Sequence, residues 1–251
     1  MTQARTARRC RDQAFARLSE RPVGVIAAMP AEAASCGLQG SLWSLVCSGI
    51  GREAAAHSAR QLAERGVAGL ISWGTAGALA PDLAPGSLAL YVRCVDAVSG
   101  ETFDTDPTLR AHIHRLLRSL DPVECDGVTS DQPVASVAHK RALHLQYSCS
   151  AVDMESAAIA AIARAYHLPF MVIRSIVDPA HYRLPASALV AFEDPAHSVA
   201  RVVGALIRRP WELGAILQLA WWYRRALGQL RAASTLLESA EWLALKAEHT
   251  R

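Results

Sequence analysis

The sequence predicts an α/β protein with three layers: helices on both sides of a central, mostly parallel or mixed sheet, followed by a helical extension at the C-terminus. Two observations carry the prediction. Short apolar runs of strand length alternate with longer segments of helical composition, which is the pattern of a largely parallel sheet covered on both faces. Those runs also end on glycine or acid, as strands that deliver a site at their carboxyl ends do.

The elements follow in order. "VGVIAAM" (23–29), set off by Pro22, reads as a buried strand. "SLWSLVCSGIG" (41–51) alternates and then turns on Gly49 and Gly51, and "REAAAHSARQLAERG" (52–66) has helical composition that stops at Gly66. "VAGLISWGTAGAL" (67–79) is a strand entering a Gly-rich turn, and "GSLALYVRCVDAV" (86–98) is a further strand. "AVDMESAAIAAIARAYHL" (151–168) reads as a helix opening on Asp153, Met154 and Glu155, and "PFMVIRSIVD" (169–178) as a buried strand ending on an acid. In "RRPWELGAILQLAWWYRRAL" (208–227), Leu213, Ile216, Ala220, Tyr223, Leu227 and Leu230 fall on one helical face, with Trp222 roughly opposite. The chain therefore divides into a basic tail over 1–21, a catalytic domain over 22–207 and an amphipathic helical extension over 208–251.

Composition narrows the function. The chain has 251 residues, 51% of them hydrophobic, yet no run approaches the ~20 apolar residues of a membrane span. The Arg-rich first residues contain no apolar signal core, so the cytoplasm is the expected compartment. Six scattered cysteines without a C-x-x-C pair argue against a zinc knuckle or a disulfide framework. A net charge of +3 is too small to imply nucleic acid, although the arginines crowd both ends.

Several polar residues gather at strand ends: Glu32 after the first strand, Thr75 in the "GTAG" turn and Asp178 closing "VIRSIVD". Asp-Met-Glu at 153–155 admits two explanations. A carboxylate there can cap a helix whose first N–H groups are free, or it can face a pocket and hold hydroxyl groups. Gly49-Ile50-Gly51-Arg52-Glu53-Ala54 satisfies G-x-G-x-x-A, but no acid ends the next strand, which disfavours a dinucleotide site.

Six motifs in order resemble those of the nucleoside phosphorylase and nucleosidase family: "VIAAMPAE", "SGIGREAA", "SWGTAGAL", "VTSDQPV", "VDMESAAIA" and "VIRSIVD". The resemblance implies a nucleoside phosphorylase-like fold and an enzyme that cleaves an N-glycosidic bond. It implies Glu32, the glutamate that activates water, and Asp178, the acid that protonates the purine, as catalytic residues, and Glu155 with Met154 at the ribose. Asp131, Gln132, Pro133 and Val134 would line the base, and Thr75, Gly51 and Arg52 a water or phosphate site. Neither metal nor organic cofactor is implied. Three departures from the family pattern stand out: Val177 where serine often precedes the acid, no aromatic after Asp131, and no arginine in "AAMPAEA". The last favours hydrolysis over phosphorolysis. The "VDMES" wording and the C-terminal segment are most similar to hopanoid-associated phosphorylases, which implies adenosylhopane, a nucleoside lipid, as substrate. Alternatives are a phosphorylase releasing ribose 1-phosphate, a methylthioadenosine/S-adenosylhomocysteine nucleosidase, and a non-catalytic nucleoside-binding module. A homodimer is expected. The C-terminal helix is expected either to touch the inner face of the cytoplasmic membrane or to pack on protein.

Overall fold

A computed structural model describes residues 21–38, 40–193 and 198–238. The basic tail expected over 1–21 lies, except for Arg21, outside the described residues, as do 239–251. Eight strands are β1 (Val23–Ala27), β2 (Trp43–Cys47), β3 (Leu70–Ala78), β4 (Leu88–Asp96), β5 (Thr102–Asp104), β6 (Val123–Thr129), β7 (Ala151–Asp153) and β8 (Phe170–Ile176). The α-helices are α1 (Pro30–Ser35), α2 (Arg52–Glu64), α3 (Pro107–Leu116), α4 (Val137–Tyr147), α5 (Ser156–Ala165), α6 (Ala186–Glu193), α7 (Ser198–Arg208) and α8 (Leu213–Glu238).

All eight strands join one sheet in the order β2-β1-β3-β7-β6-β4-β5, with β8 bridging β3 and β4. The pairs β1–β2, β1–β3, β3–β8, β4–β6 and β6–β7 are parallel, whereas β3–β7, β4–β5 and β4–β8 are antiparallel, so the expected mixed sheet is present. Because β8 bonds to both β3 and β4, the strands β3, β8, β4, β6 and β7 form a closed circuit.

The period-2 alternation of each strand sends side chains to opposite helical layers. Ile26, Leu70, Phe170 and Val172 pack with Ala55, Ala59 and Leu62 of α2 and Ile159 and Ala163 of α5. Val25, Ile71, Trp73 and Ile173 pack with Leu109 and Ile113 of α3 and with Leu230, Ala233 and Leu237 of α8. The second half of α8 is thus part of the core, and Ser234 Oγ accepts from the Gly37 amide at 2.9 Å.

Two expectations need correction. Residues 151–153 are not the first turn of a helix but the short strand β7, paired with β3 and β6, and α5 begins only at Ser156. The sheet claims these residues because each backbone group of Val152 finds a ladder partner. In α8, the inward positions are Leu219, Tyr223, Ala226, Leu230, Ala233 and Leu237, spaced by alternating steps of three and four, while Leu213 and Ala220 face outward. Small Ala226 and Ala233 let the helix approach the sheet, which rotates its buried face away from the stripe drawn through larger residues. Trp222 turns inward, edge-on to Tyr182 with ring centroids 4.7 Å apart.

Leu230→Ala is expected to lower the unfolding free energy by about 2–5 kcal/mol, while Leu217→Ala on the exposed side of the same helix changes it by about 0.5 kcal/mol or less. Urea denaturation of both variants measures the difference; equal small losses would mean that α8 does not belong to the core.

Candidate active site

Three strand ends and the turns after them assemble the site. After β1, Pro30 occupies the first turn of α1, where its missing N–H costs nothing. That turn aims Glu32 back over the sheet. Its Oε2 accepts from the Met29 amide at 3.1 Å, and its Oε1 accepts from both the amide and the hydroxyl of Thr75, at 2.8 and 2.7 Å. Glu32 is buried, and Thr75 has its amide and its hydroxyl committed to it.

At the end of β7 the two carboxylates divide the work that the sequence left open. Asp153 is the cap: its Oδ1 accepts from the amides of Glu155 and Ser156 and from the Thr129 hydroxyl at 2.9–3.0 Å. Glu155 sits at the N-cap position but makes no capping bond with its side chain. Instead its Oε1 accepts from the Gly51 amide at 3.0 Å, across 104 residues. Met154 lies between them, half-buried.

The cation that answers these acids is Arg174, in the middle of β8 and buried. Its guanidinium donates to Ser72 Oγ and Ser156 Oγ at 2.8 and 2.9 Å, and lies 3.4 Å from Asp153 Oδ2 and 3.9 Å from Glu155 Oε2. Gly74 stands beside it in register on β3. A Cβ there would come within 2.4 Å of the Arg174 guanidinium and 2.9 Å of the Glu32 carboxyl, so only glycine leaves room for both groups. Burial works against the Arg174 charge, but Asp153 and Glu155 outweigh it and raise its pKa. Burial pushes Glu155 up to about 7, against the pull of Arg174 and the Gly51 amide and with help from the Asp153 and Glu32 charges.

Asp178 follows β8 by two residues and is buried. Its Oδ2 accepts a short hydrogen bond from the Lys140 ammonium on α4, which also donates to the carbonyls of Pro179 at 2.8 Å and Tyr182 at 3.1 Å. Burial raises the Asp178 pKa and Lys140 opposes it. Gly77 lies alongside, where a Cβ would sit 3.2 Å from Asp178 Oδ1.

Arg52 is held between two acids. It makes a two-pronged pair with Asp96 and a second contact from Nε to Asp131 Oδ1 at 3.1 Å. Of the segment expected at the base, Asp131 and Gln132 are exposed, Pro133 is half-buried and Val134 is buried.

The structure thus connects Glu32 with Thr75 and Glu155 with Gly51, and brings both acids to Arg174. It ties Asp131 to Arg52 instead of to the acids. Asp96, Lys140 and Arg174 are charged residues that sequence reasoning missed. A signal existed for Arg174, since a charge inside the apolar run "VIRSIVD" demands a buried partner.

Residues 12–209 match the Phosphorylase superfamily, and the chain belongs to that family. The expectation of an enzyme of nucleosidase or phosphorylase type is met at that level. Among solved structures, the fold is similar to the 5′-methylthioadenosine/S-adenosylhomocysteine nucleosidase of Neisseria meningitidis, with a TM-score of 0.67 at 18% identity over 87% of this chain and 99% of that one. It is similar to the S-adenosylhomocysteine nucleosidase of Streptococcus pyogenes, with a TM-score of 0.66 at 23% identity over 87% and 96% of the two chains. The futalosine hydrolase of Helicobacter pylori gives a TM-score of 0.66 at 18% identity over 86% and 97%.

The raised Glu155 pKa fixes the sign of a pH effect. Folded protein holds a proton on Glu155 up to about 7, whereas the unfolded chain releases it near the ordinary carboxylate value. Glu155 therefore contributes stability that is full at low pH and is lost as pH rises from the unfolded value toward 7. Urea midpoints across that window should fall less steeply in Glu155→Gln than in the wild type; parallel profiles would contradict the assigned pKa. Arg174→Gln should cost about 3–5 kcal/mol, because it leaves buried acids uncompensated.

Proposed function

We propose that the protein hydrolyses the N-glycosidic bond of a 5′-substituted adenosine and releases adenine. The observation that carries this reading is the state of Glu32 and Arg52. Phosphorolysis needs a free anion site. Here Thr75 gives its amide and hydroxyl to the Glu32 carboxyl, and Arg52 is engaged by Asp96 and Asp131. A phosphate brought to Thr75 would face the Glu32 carboxyl, which favours water as the nucleophile.

In the proposed reaction Glu32 accepts a proton from water as its oxygen bonds to C1′. The C1′–N9 bond breaks with its electron pair leaving on the base, and Asp178 donates a proton to N7. Glu155 receives the ribose hydroxyls and, once ionised, offsets the positive charge that grows on the sugar ring. Met154 packs on the sugar. Lys140 positions Asp178 and limits how far burial raises its pKa; an acid so placed is suited to giving up its proton in the transition state. The names of the similar structures, two nucleosidases and one hydrolase, agree with hydrolysis. The resemblance to hopanoid-associated phosphorylases makes adenosylhopane the proposed natural substrate, with ribosylhopane as product.

Purified protein is expected to release adenine from a 5′-alkyl adenosine in phosphate-free buffer, with no acceleration on adding phosphate. An absolute phosphate requirement would turn the assignment to phosphorolysis, and no release in either buffer would leave a binding module. Asp178→Asn should lower kcat by about 10²–10⁴, the usual worth of a general acid. The rate of the wild type should rise as Glu155 ionises around pH 7, a limb that Glu155→Gln should lack.

A further inference from the structure

The outward side of α7, the turn after it and the first half of α8 carries large apolar side chains that are exposed among the described residues. Ile207 is 78% exposed, Trp211 76%, Leu217 61% and Trp221 59%, and Val203 and Leu213 are exposed as well. Val203 and Ile207 stand one turn apart on α7, and Leu213, Leu217 and Trp221 repeat every four residues along α8, so each helix presents a stripe. Single exposed apolar residues need no explanation, but two tryptophans within a run of this kind do. Exposed Arg208, Arg209 and Arg224 flank the stripes, and the Arg225 guanidinium lies over the Trp221 ring, 5.9 Å from its centroid. The acid among them, Glu212, accepts from the Ser187 amide at 2.8 Å.

We infer that this face of α7 and α8 is a docking surface for an anionic lipid bilayer. Tryptophan and aliphatic side chains bordered by arginine suit the boundary between acyl chains and negatively charged headgroups. Charge argues for lipid over a second copy of the chain. A two-fold contact sets the same patch against itself, and here it would bring the arginines of one copy against those of the other. Insertion would be shallow, since no helix among the described residues is long and apolar enough to cross a membrane.

The reverse side of the same helix touches the site. The Tyr182 hydroxyl donates to the Ala215 carbonyl at 3.0 Å, its ring meets Trp222, and its own carbonyl accepts from Lys140, the partner of Asp178. One helix, about 10 Å thick, therefore separates the docking face from the loop that follows Asp178. The inference does not depend on the proposed reaction, and its test reads binding alone.

Full-length protein should sediment with vesicles of phosphatidylcholine plus phosphatidylglycerol and not with phosphatidylcholine alone, and the binding should weaken as salt rises. Arg208→Gln with Arg209→Gln should reduce the affinity roughly 25-fold, at about fivefold for each basic residue. Trp211→Ser, Leu217→Ser and Trp221→Ser together should abolish sedimentation while the thermal unfolding midpoint and the circular dichroism spectrum stay those of the wild type. The inference is overturned if wild-type protein ignores anionic vesicles, or if the triple variant binds them as well as the wild type. It is equally overturned if the triple variant converts a wild-type oligomer to a smaller species without changing vesicle binding, since the face would then lie between copies.

Discussion

One guanidinium governs the site. Arg174 is buried among Glu32, Asp153 and Glu155, three acids delivered by three different parts of the chain. Three carboxyl groups share the neighbourhood of a single cation, so how each is hydrogen-bonded matters as much as its distance from the guanidinium. Burial raises the Glu155 pKa, and among the described residues its carboxyl accepts only the Gly51 amide, whereas Asp153 has three donors directed at one oxygen and Glu32 has three shared between two. The neighbours of Arg174 are correspondingly small: Ser72, Ser156 and Gly74 leave the guanidinium its volume and, through the serines, two acceptors.

The other buried cation works on a different plan. Lys140 meets one carboxylate and two carbonyls, so its three protons are satisfied locally and Asp178 has a dedicated counter-charge. The two ends of the site are thus set apart electrically. One end gathers acids around Arg174, and the other holds an acid balanced between burial, which keeps its proton on, and an ammonium, which draws it off.

Much of this was legible in the sequence where the governing physics is local. Short apolar runs marked β1, β2, β3, β4 and β8, and Gly66 marked the end of α2 within a residue or two. Glu32, Thr75 and Asp178 were legible as strand-end polar residues, and Glu155 as an acid at the start of a helix. What escaped depends on distant pairing. Residues 151–153 look helical beside the alanine-rich run that follows, and only β3 and β6 make them a strand. Lys140 lies on a weakly patterned helix and meets Asp178 38 residues later, with nothing nearby to mark it as buried. The inward face of α8 was misplaced because it is built partly on Ala226 and Ala233, whose burial follows from the sheet beneath and not from their own hydrophobicity.

The closed circuit of β3, β8, β4, β6 and β7 has a consequence for how such a protein can diverge. A strand bonded on both sides within a ring cannot slide without breaking pairs on each neighbour, so Thr75, Asp153 and the approach to Asp178 are fixed relative to one another by backbone geometry. Side-chain identity over most of the chain is then free to drift while the ends of the ring keep their places. A similarity of 18–23% in residues beside superposable folds is what such a frame permits. Novelty is left to the segments outside the circuit, and α8, at 26 residues, is the longest helix among them.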